Sequence, residues 1–338
     1  MGLAGFVIRR AVYSVLLVIG AVILVFLLTR VAAPNPAALW AGPRAPPSVI
    51  HAVVMEYHLD QPLYIQLLYY LQEIFTFNFG ISPFFKQPVS SLVALYFPRT
   101  LELSFFAMVL TVIIGVFSGA YGAAHQDKKG DYAVRGIYLV SWSMPPFLVA
   151  LLLQFVFAYQ WSLFPSSLLA DPTMIPPKVV TGFPLLDSLI AGDFSFFYST
   201  LIHLVLPAVA LALISFGLIT RITRSSMLES LKSDFVRTAI MKGVGGRRAV
   251  YVHALKNSLL PVITVIALTF AYVIAGAVVV EEIFGYEGMG YLITQAIYNY
   301  DYPTLIGSTI VIVVAVVVIN FAADVLYAVV DPRIRLGE

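Results

Sequence analysis

The 338-residue sequence contains no cysteine. That excludes disulfides, thiolate metal sites and a cysteine nucleophile, and it leaves the redox compartment unreadable. Charge is also scarce: Asp, Glu, Lys and Arg make up 11% of the chain, against about 25% in soluble domains. Length alone suggests about two soluble domains, but so few charges leave too little polar surface to cover them. A net charge of +2 supplies no basic field for a nucleic acid. The chain has no G-x-x-x-x-G-K-[ST] phosphate loop, no H-E-x-x-H and no Asn-x-Ser/Thr sequon. Its histidines (His51, His58, His125, His203, His253) are scattered, so no metal or catalytic set is assigned. What fills the chain instead is apolar. Hydrophobic residues make up 60% and the mean hydropathy is +0.91, which excludes an ordinary globular enzyme and a disordered chain and leaves a polytopic membrane protein.

A spanning helix needs about 20 apolar residues, because the hydrocarbon core is about 30 Å thick and a helix rises about 1.5 Å per residue. Stretches free of Asp, Glu, Lys and Arg fall at 11–29, 103–124, within 136–170, and at 194–220, 257–280 and 303–323. The third is too long for one span, so its helix is placed at 137–159, with Trp161 and Pro165 at the interface. The first could be a signal peptide, since Arg9-Arg10 precede it and Val31-Ala32-Ala33 resembles a cleavage site. Its uncharged core of 19 residues exceeds the 7–15 typical of a signal h-region, which favours a retained span. The expected fold is therefore all-α with six transmembrane helices, at 11–31, 100–124, 136–160, 200–220, 257–280 and 303–324. Both termini then share one side with the loops 125–135 and 221–256, and 15 of the 20 Lys and Arg lie there. Positive residues resist translocation, so residues 1–10, those loops and 325–338 are read as cytoplasmic, and 32–99, 161–199 and 281–302 as extracytoplasmic.

Within the first outer segment, Pro43, Pro46 and Pro47 mark irregular chain, and 62–75, carrying Tyr64, Tyr69 and Tyr70, reads as a helix at the headgroup level or packed on the bundle. Gly115, Gly119 and Ala123 share one helix face and invite close backbone packing. Pro145-Pro146 should kink the third span. His203 is expected near the interface, and Asn320 with Asp324 in a capping or packing role. The segment 281–302, with five tyrosines and Glu281, Glu282, Glu287 and Asp301, reads as solvated or interfacial structure near the outer mouth, where it would meet a binding protein or a gate.

The loop 221–256 is the most informative. Ser233 is expected to cap a short helix, Asp234 suits its positive N-terminal end, and Lys242-Gly243 end it. Phe235, Val236, Ala239 and Ile240 fall on one side, while Arg237, Thr238 and Lys242 fall elsewhere. A helix of about nine residues is too short to stand alone and suits docking in a partner's groove. A second helix should start near Arg247 and run through His253 and Lys256 into the fifth span.

Asp234-Phe235-Val236-Arg237-Thr238-Ala239, followed by Lys242-Gly243, resembles the coupling loop of ATP-binding-cassette importer permeases. His253-Ala254-Leu255-Lys256-Asn257-Ser258-Leu259-Leu260-Pro261 is similar to the dipeptide/oligopeptide/nickel branch. The general Glu-Ala-Ala…Gly pattern reads here as Arg237-Thr238-Ala239 and Gly243, a departure that this branch itself shows. Further matches run from Arg9-Arg10 through Leu59-Asp60-Gln61-Pro62-Leu63, Pro98-Arg99-Thr100-Leu101-Glu102-Leu103 and Thr223-Arg224-Ser225-Ser226-Met227-Leu228. They end at Val278-Val279-Val280-Glu281, Asp301-Tyr302-Pro303 and Asp331-Pro332-Arg333-Ile334-Arg335.

The resemblance implies a type I importer permease that pairs with a second, similar permease in the lipid bilayer. It also implies two cytoplasmic ATPase subunits, which bind ATP and Mg, and an extracytoplasmic solute-binding protein. Asp234, Phe235, Val236, Arg237, Thr238, Ala239, Ile240, Lys242 and Gly243 would form the ATPase contact. No catalytic residue or cofactor is expected in this chain. The solute is read as a di- or oligopeptide, with an oligosaccharide second. An ion-coupled secondary transporter is the alternative of another class, but the span centres lack the ionisable groups it would use.

Overall fold

A computed structural model describes residues 3–31, 36–42 and 45–330. Ala32, Ala33, Pro43, Arg44 and the stretch Asp331-Pro332-Arg333-Ile334-Arg335 lie outside the described residues. The described chain is helical, with one isolated antiparallel bridge between Ile81 and Pro88. In order come α1 (Leu3–Arg30), α2 (Pro36–Ala41), α3 (Pro47–Glu56), α4 (Leu63–Phe75), α5 (Val89–Ala124), α6 (Lys129–Ser143) and α7 (Pro146–Leu153), which continues as π-helical turns through Gln160. There follow α8 (Pro184–Ala191), α9 (Phe194–Leu231), α10 (Asp234–Met241), α11 (Gly246–Arg248), π-helical turns over Ala249–Ala254, α12 (Leu255–Phe284), α13 (Met289–Tyr298) and α14 (Tyr302–Val330).

Among the described residues five helices are long and apolar enough to cross a membrane, or six if the bent pair α6–α7 forms one span. The expected kink at Pro145-Pro146 is a break of 107°. Met144 and Pro145 each precede a proline, which disfavours the helical region, and both are extended, with ψ of 133° and 139°.

Two helices run well beyond the uncharged windows: α5 has 36 residues and α9 has 38. At about 1.5 Å per residue they reach about 54 and 57 Å, far more than a bilayer core. The windows stopped at Arg99, Glu102 and Arg221; each of these sits inside a helix, in contact with other elements.

α5 and α9 form the centre, and the glycines on α5 explain how closely they approach. A Cβ on Gly115 would lie 2.6 Å from Ile219 Cγ2, and one on Gly119 would lie 2.6 Å from the Thr220 carbonyl oxygen. Ser118 Oγ and Thr220 Oγ1 share a hydrogen bond of 2.9 Å across the contact. α12 closes this core with Val262, Val273, Ala277 and Val280 against Leu204, Ala208 and Leu211. α1 and α4 form a second cluster with α14, in which Val22, Phe26 and Tyr70 pack on Ile306 and Ile310. Helix α4 matches the helix expected at 62–75; its Tyr64 is exposed and its Tyr70 buried.

Candidate functional site

α9 carries the chain directly into α10, and α11 with its π-helical turns returns it to α12. The contact between α10 and the bundle is made of small and apolar side chains. Val236 is 1% exposed and packs with Ala120 and Ala123 of α5, Met227 of α9, and Ala249 and Ala254 before α12. Ala239, one turn on, is half-buried.

At 100° per residue Val236 and Ala239 form the middle of the apolar stripe, and Phe235 and Ile240 are its flanks. The middle faces the chain's own bundle. The stripe expected to be free for a partner is therefore largely occupied, with Phe235 and Ile240 left exposed at its edges. The opposite face presents Asp234, Arg237, Thr238 and Met241, the last 87% exposed.

The ends of α10 also differ in part from expectation. The Ser233 hydroxyl does not cap the helix; it donates to the Ser230 carbonyl and so closes the end of α9. Its position still starts the helix, because its backbone is extended. At the other end Gly243 has φ of +86°, and its N–H donates to the Ile240 carbonyl at 2.9 Å. No neighbour crowds Gly243, so the positive φ is what calls for glycine.

At the opposite end of the α5–α9–α12 core, buried polar groups do the fastening. Glu281 is fully buried at the end of α12. Its carboxylate accepts from the Thr100 hydroxyl at 2.7 Å and the Gly290 N–H at 2.6 Å. The Met289 N–H in turn donates to Thr100 Oγ1 at 2.7 Å. A Cβ on Gly288 would lie 2.4 Å from Glu281 Oε1, and one on Gly290 would lie 2.3 Å from the Val278 Cα.

Glu102 is buried too and accepts from the Leu185 N–H of α8 at 3.1 Å. Asp301 is buried, accepts from the Ser82 hydroxyl, and caps α14 through the Thr304 N–H at 3.1 Å. The reading of 281–302 as solvated structure is thus corrected for Glu281 and Asp301. Each has a hydroxyl and a backbone donor, which makes burial tolerable. Glu287 fits that reading, with its side chain 42% exposed and paired with Arg99 at 2.7 Å, and so do the exposed Tyr298 and Tyr300. Tyr286 is buried between these groups, and burial pushes its hydroxyl well above its ordinary pKa, with Glu102 and Glu281 adding to the shift.

His203 is likewise buried, its Nδ1 2.7 Å from the Ser199 carbonyl one turn earlier. Asp324 pairs with Arg10 at 3.2 Å and ties α14 to α1. Sequence reasoning missed one cluster altogether. Asp131, fully buried at the start of α6, holds Arg224 of α9 through two bonds of 2.6 and 2.7 Å and also binds Arg135. The i, i+4 spacing of Asp131 and Arg135 was its only signal.

Comparison with known proteins agrees with this architecture along the whole chain. The family described as "Binding-protein-dependent transport system inner membrane component" matches residues 111–336. Its N-terminal companion, "Binding-prot-dependent transport system membrane comp, N-term", matches residues 3–104. The "Probable D,D-dipeptide transport system permease protein" of Escherichia coli (strain K12) is 36% identical over 323 residues, covering 96% of this chain and 95% of that protein. The dipeptide transport system permease of Alkalihalophilus pseudofirmus is 36% identical over 327 residues, covering 97% and 98%. The di/tripeptide transport system permease of Pseudomonas aeruginosa (strain UCBPP-PA14) is 36% identical over 335 residues, covering 98% of each chain. The chain belongs to the binding-protein-dependent transport system inner membrane component family: it is a multi-pass permease subunit of the inner membrane.

Proposed function

We propose that this permease forms half of the pathway of an ATP-driven importer of di- or oligopeptides, and that α10 is the helix on which a cytoplasmic ATPase subunit acts. In this reading α6–α7 makes the sixth span, both termini and α10 lie in the cytoplasm, and residues 32–99 form a large extracytoplasmic segment. The distribution of 15 of 20 Lys and Arg supports that orientation. A second, similar permease completes the pathway, two ATPase subunits bind ATP and Mg, and an extracytoplasmic binding protein delivers the solute. The peptide assignment follows from the dipeptide and di/tripeptide transport named for the relatives. Glu287, exposed at the α13 end, belongs to the rim that meets the binding protein.

The observation that carries the coupling role is the mounting of α10. Eight residues of helix rest on the bundle through Val236 and Ala239 and turn Asp234, Arg237, Thr238 and Met241 outward. A helix this short has little stability of its own, so it moves with whatever it contacts. A force applied to its outer face is delivered to Met227 of α9 and to Ala120 and Ala123 of α5, the two helices at the centre of the core.

The test is uptake by proteoliposomes that contain the complete importer and its binding protein. Short peptides should enter only with ATP inside and binding protein outside. Val236→Asp should insert normally and lose uptake. Uptake of oligosaccharides in place of peptides would overturn the solute, and uptake driven by an ion gradient without ATP would overturn the importer.

A further inference from the structure

Asp131 is the most constrained ionisable group at the α10 end of the molecule. It has no exposed surface and gathers two arginines: Arg224 from α9, bound through two nitrogens, and Arg135 from its own helix. The Asp127 N–H also donates to it at 3.1 Å, and Arg135 reaches back to Asp127 at 3.2 Å. A bidentate arginine–carboxylate pair holds both distance and orientation, so α6 cannot slide or turn against α9 at this point. The pair is also clasped from α5: a Cβ on Gly122 would lie 3.4 Å from Arg224 Cδ and 3.5 Å from Asp131 Oδ1.

Arg224 lies one helical turn before Met227, the fully buried α9 member of the cluster that also buries Val236. The apolar mount of α10 and the Asp131 clamp are thus consecutive turns of one helix. Beyond the clamp, α6 meets α5, where Gly122 faces Val134 and Gly130 faces Tyr121, and meets α9 at Tyr138, Ser141 and Trp142. Tyr138 lies against Gly217, the Ser141 hydroxyl donates to the Leu213 carbonyl, and Arg221 stacks over Trp142 at 5.4 Å. The other face of α6 is apolar and exposed at Ile137, Leu139 and Val140. At its far end α6 stops at the 107° break before α7.

We propose that Asp131 and Arg224 are positioning residues for transport: their clamp carries displacement of α10 and α9 into α6, which swings about the break at Met144-Pro145. This inference rests on the coupling role given to α10. Without the clamp, α10 still receives the ATPase stroke, but α6 no longer follows, and hydrolysis runs without productive movement of the third span.

The experiment compares wild type, Asp131→Asn, and a double variant Asp131→Cys/Arg224→Cys, each in the complete importer in proteoliposomes. The readouts are co-purification of the ATPase subunits, ATP hydrolysis, and peptide taken up per ATP hydrolysed. Asp131→Asn should keep the ATPases bound and hydrolysing while uptake per ATP falls about tenfold, within the usual range of coupling between sites. The permease has no cysteine of its own, so a short bis-maleimide, which adds each thiol across its double bonds to form two thioethers, can bridge the double variant, with reagent-treated Asp131→Asn as the control. Bridging should restore uptake per ATP in the double variant alone.

Wild-type uptake per ATP in Asp131→Asn would overturn the proposal. So would loss of the ATPases from both variants, or a bridge without effect, since each points to a clamp that only helps the chain fold. The α10 variant Val236→Asp separates the two readings. If it loses uptake while Asp131→Asn does not, only this inference fails; if Val236→Asp transports normally, the coupling role of α10 itself fails.

Discussion

The two ends of the α5–α9–α12 core are fastened by different chemistry. At the α13 end, Glu281, Glu102 and Asp301 are buried, and each binds a hydroxyl or backbone N–H from an element far away in sequence. At the α10 end, α10 itself is seated on the bundle only through apolar side chains, Val236 with alanines and Met227, while the buried Asp131–Arg224 pair there ties α6 to α9 and not to α10. Satisfied buried polar groups fix one geometry, because any displacement leaves a donor or acceptor unpaired in a low-dielectric interior. Apolar contacts are non-directional and tolerate small shifts. On the proposed reading, the α13 end holds its shape, and the apolar seat of α10 lets that helix pass movement on.

That contrast can be broken by substitutions with distinct readouts. The largest effect is expected from Gly290→Leu, whose Cβ would meet the Val278 backbone at 2.3 Å, where no flexible side chain can give way. The expected outcome is little or no folded permease in the membrane, read by size-exclusion profile in detergent. Glu281→Ala should follow. It removes the acceptor for Thr100 and Gly290, and each buried donor left unpaired costs about 1–3 kcal/mol. A lowered Tm should accompany reduced uptake, and Glu281→Gln should recover part of both.

Gly243→Pro acts at the other end. Proline fixes φ near −65° and has no N–H, whereas Gly243 sits at φ +86° and donates to Ile240. Here uptake should be lost while the Tm of the permease barely changes. The smallest effect is expected from Arg99→Ala, which breaks a partly exposed pair with Glu287. Such pairs contribute about 1 kcal/mol or less, so Tm should fall slightly and uptake per ATP should stay at the wild-type value. Equal losses of Tm in Gly243→Pro and Glu281→Ala would erase the distinction between the ends.

Much of the fold was legible in residue patterns, and the misses share a cause. The apolar runs located α1, α5, α9, α12 and α14 because a membrane demands long uncharged helices. The small-residue spacing of Gly115 and Gly119 correctly marked the α5 face that meets α9. The helix ends were misplaced wherever an ionisable residue continued a helix in contact with another element, as Arg99, Glu102 and Arg221 do. A charge reads as solvated when its partner lies 181 or 219 residues away, and so Glu281 and Asp301 were placed at the surface. The short helix α10 was visible from its stripe and its glycine stop, but which side of the stripe faced inward was not. That depends on Ala120, Ala123, Met227 and Ala249, which pattern alone does not bring together.

The central claim is that α10 transmits the work of ATP to the membrane helices. It is tested most directly by ATP-driven peptide uptake in proteoliposomes carrying the complete importer with either wild-type permease or Val236→Asp. The wild type should show ATP- and binding-protein-dependent uptake, and a variant inserted to the same level should show none. Wild-type uptake by Val236→Asp would contradict it.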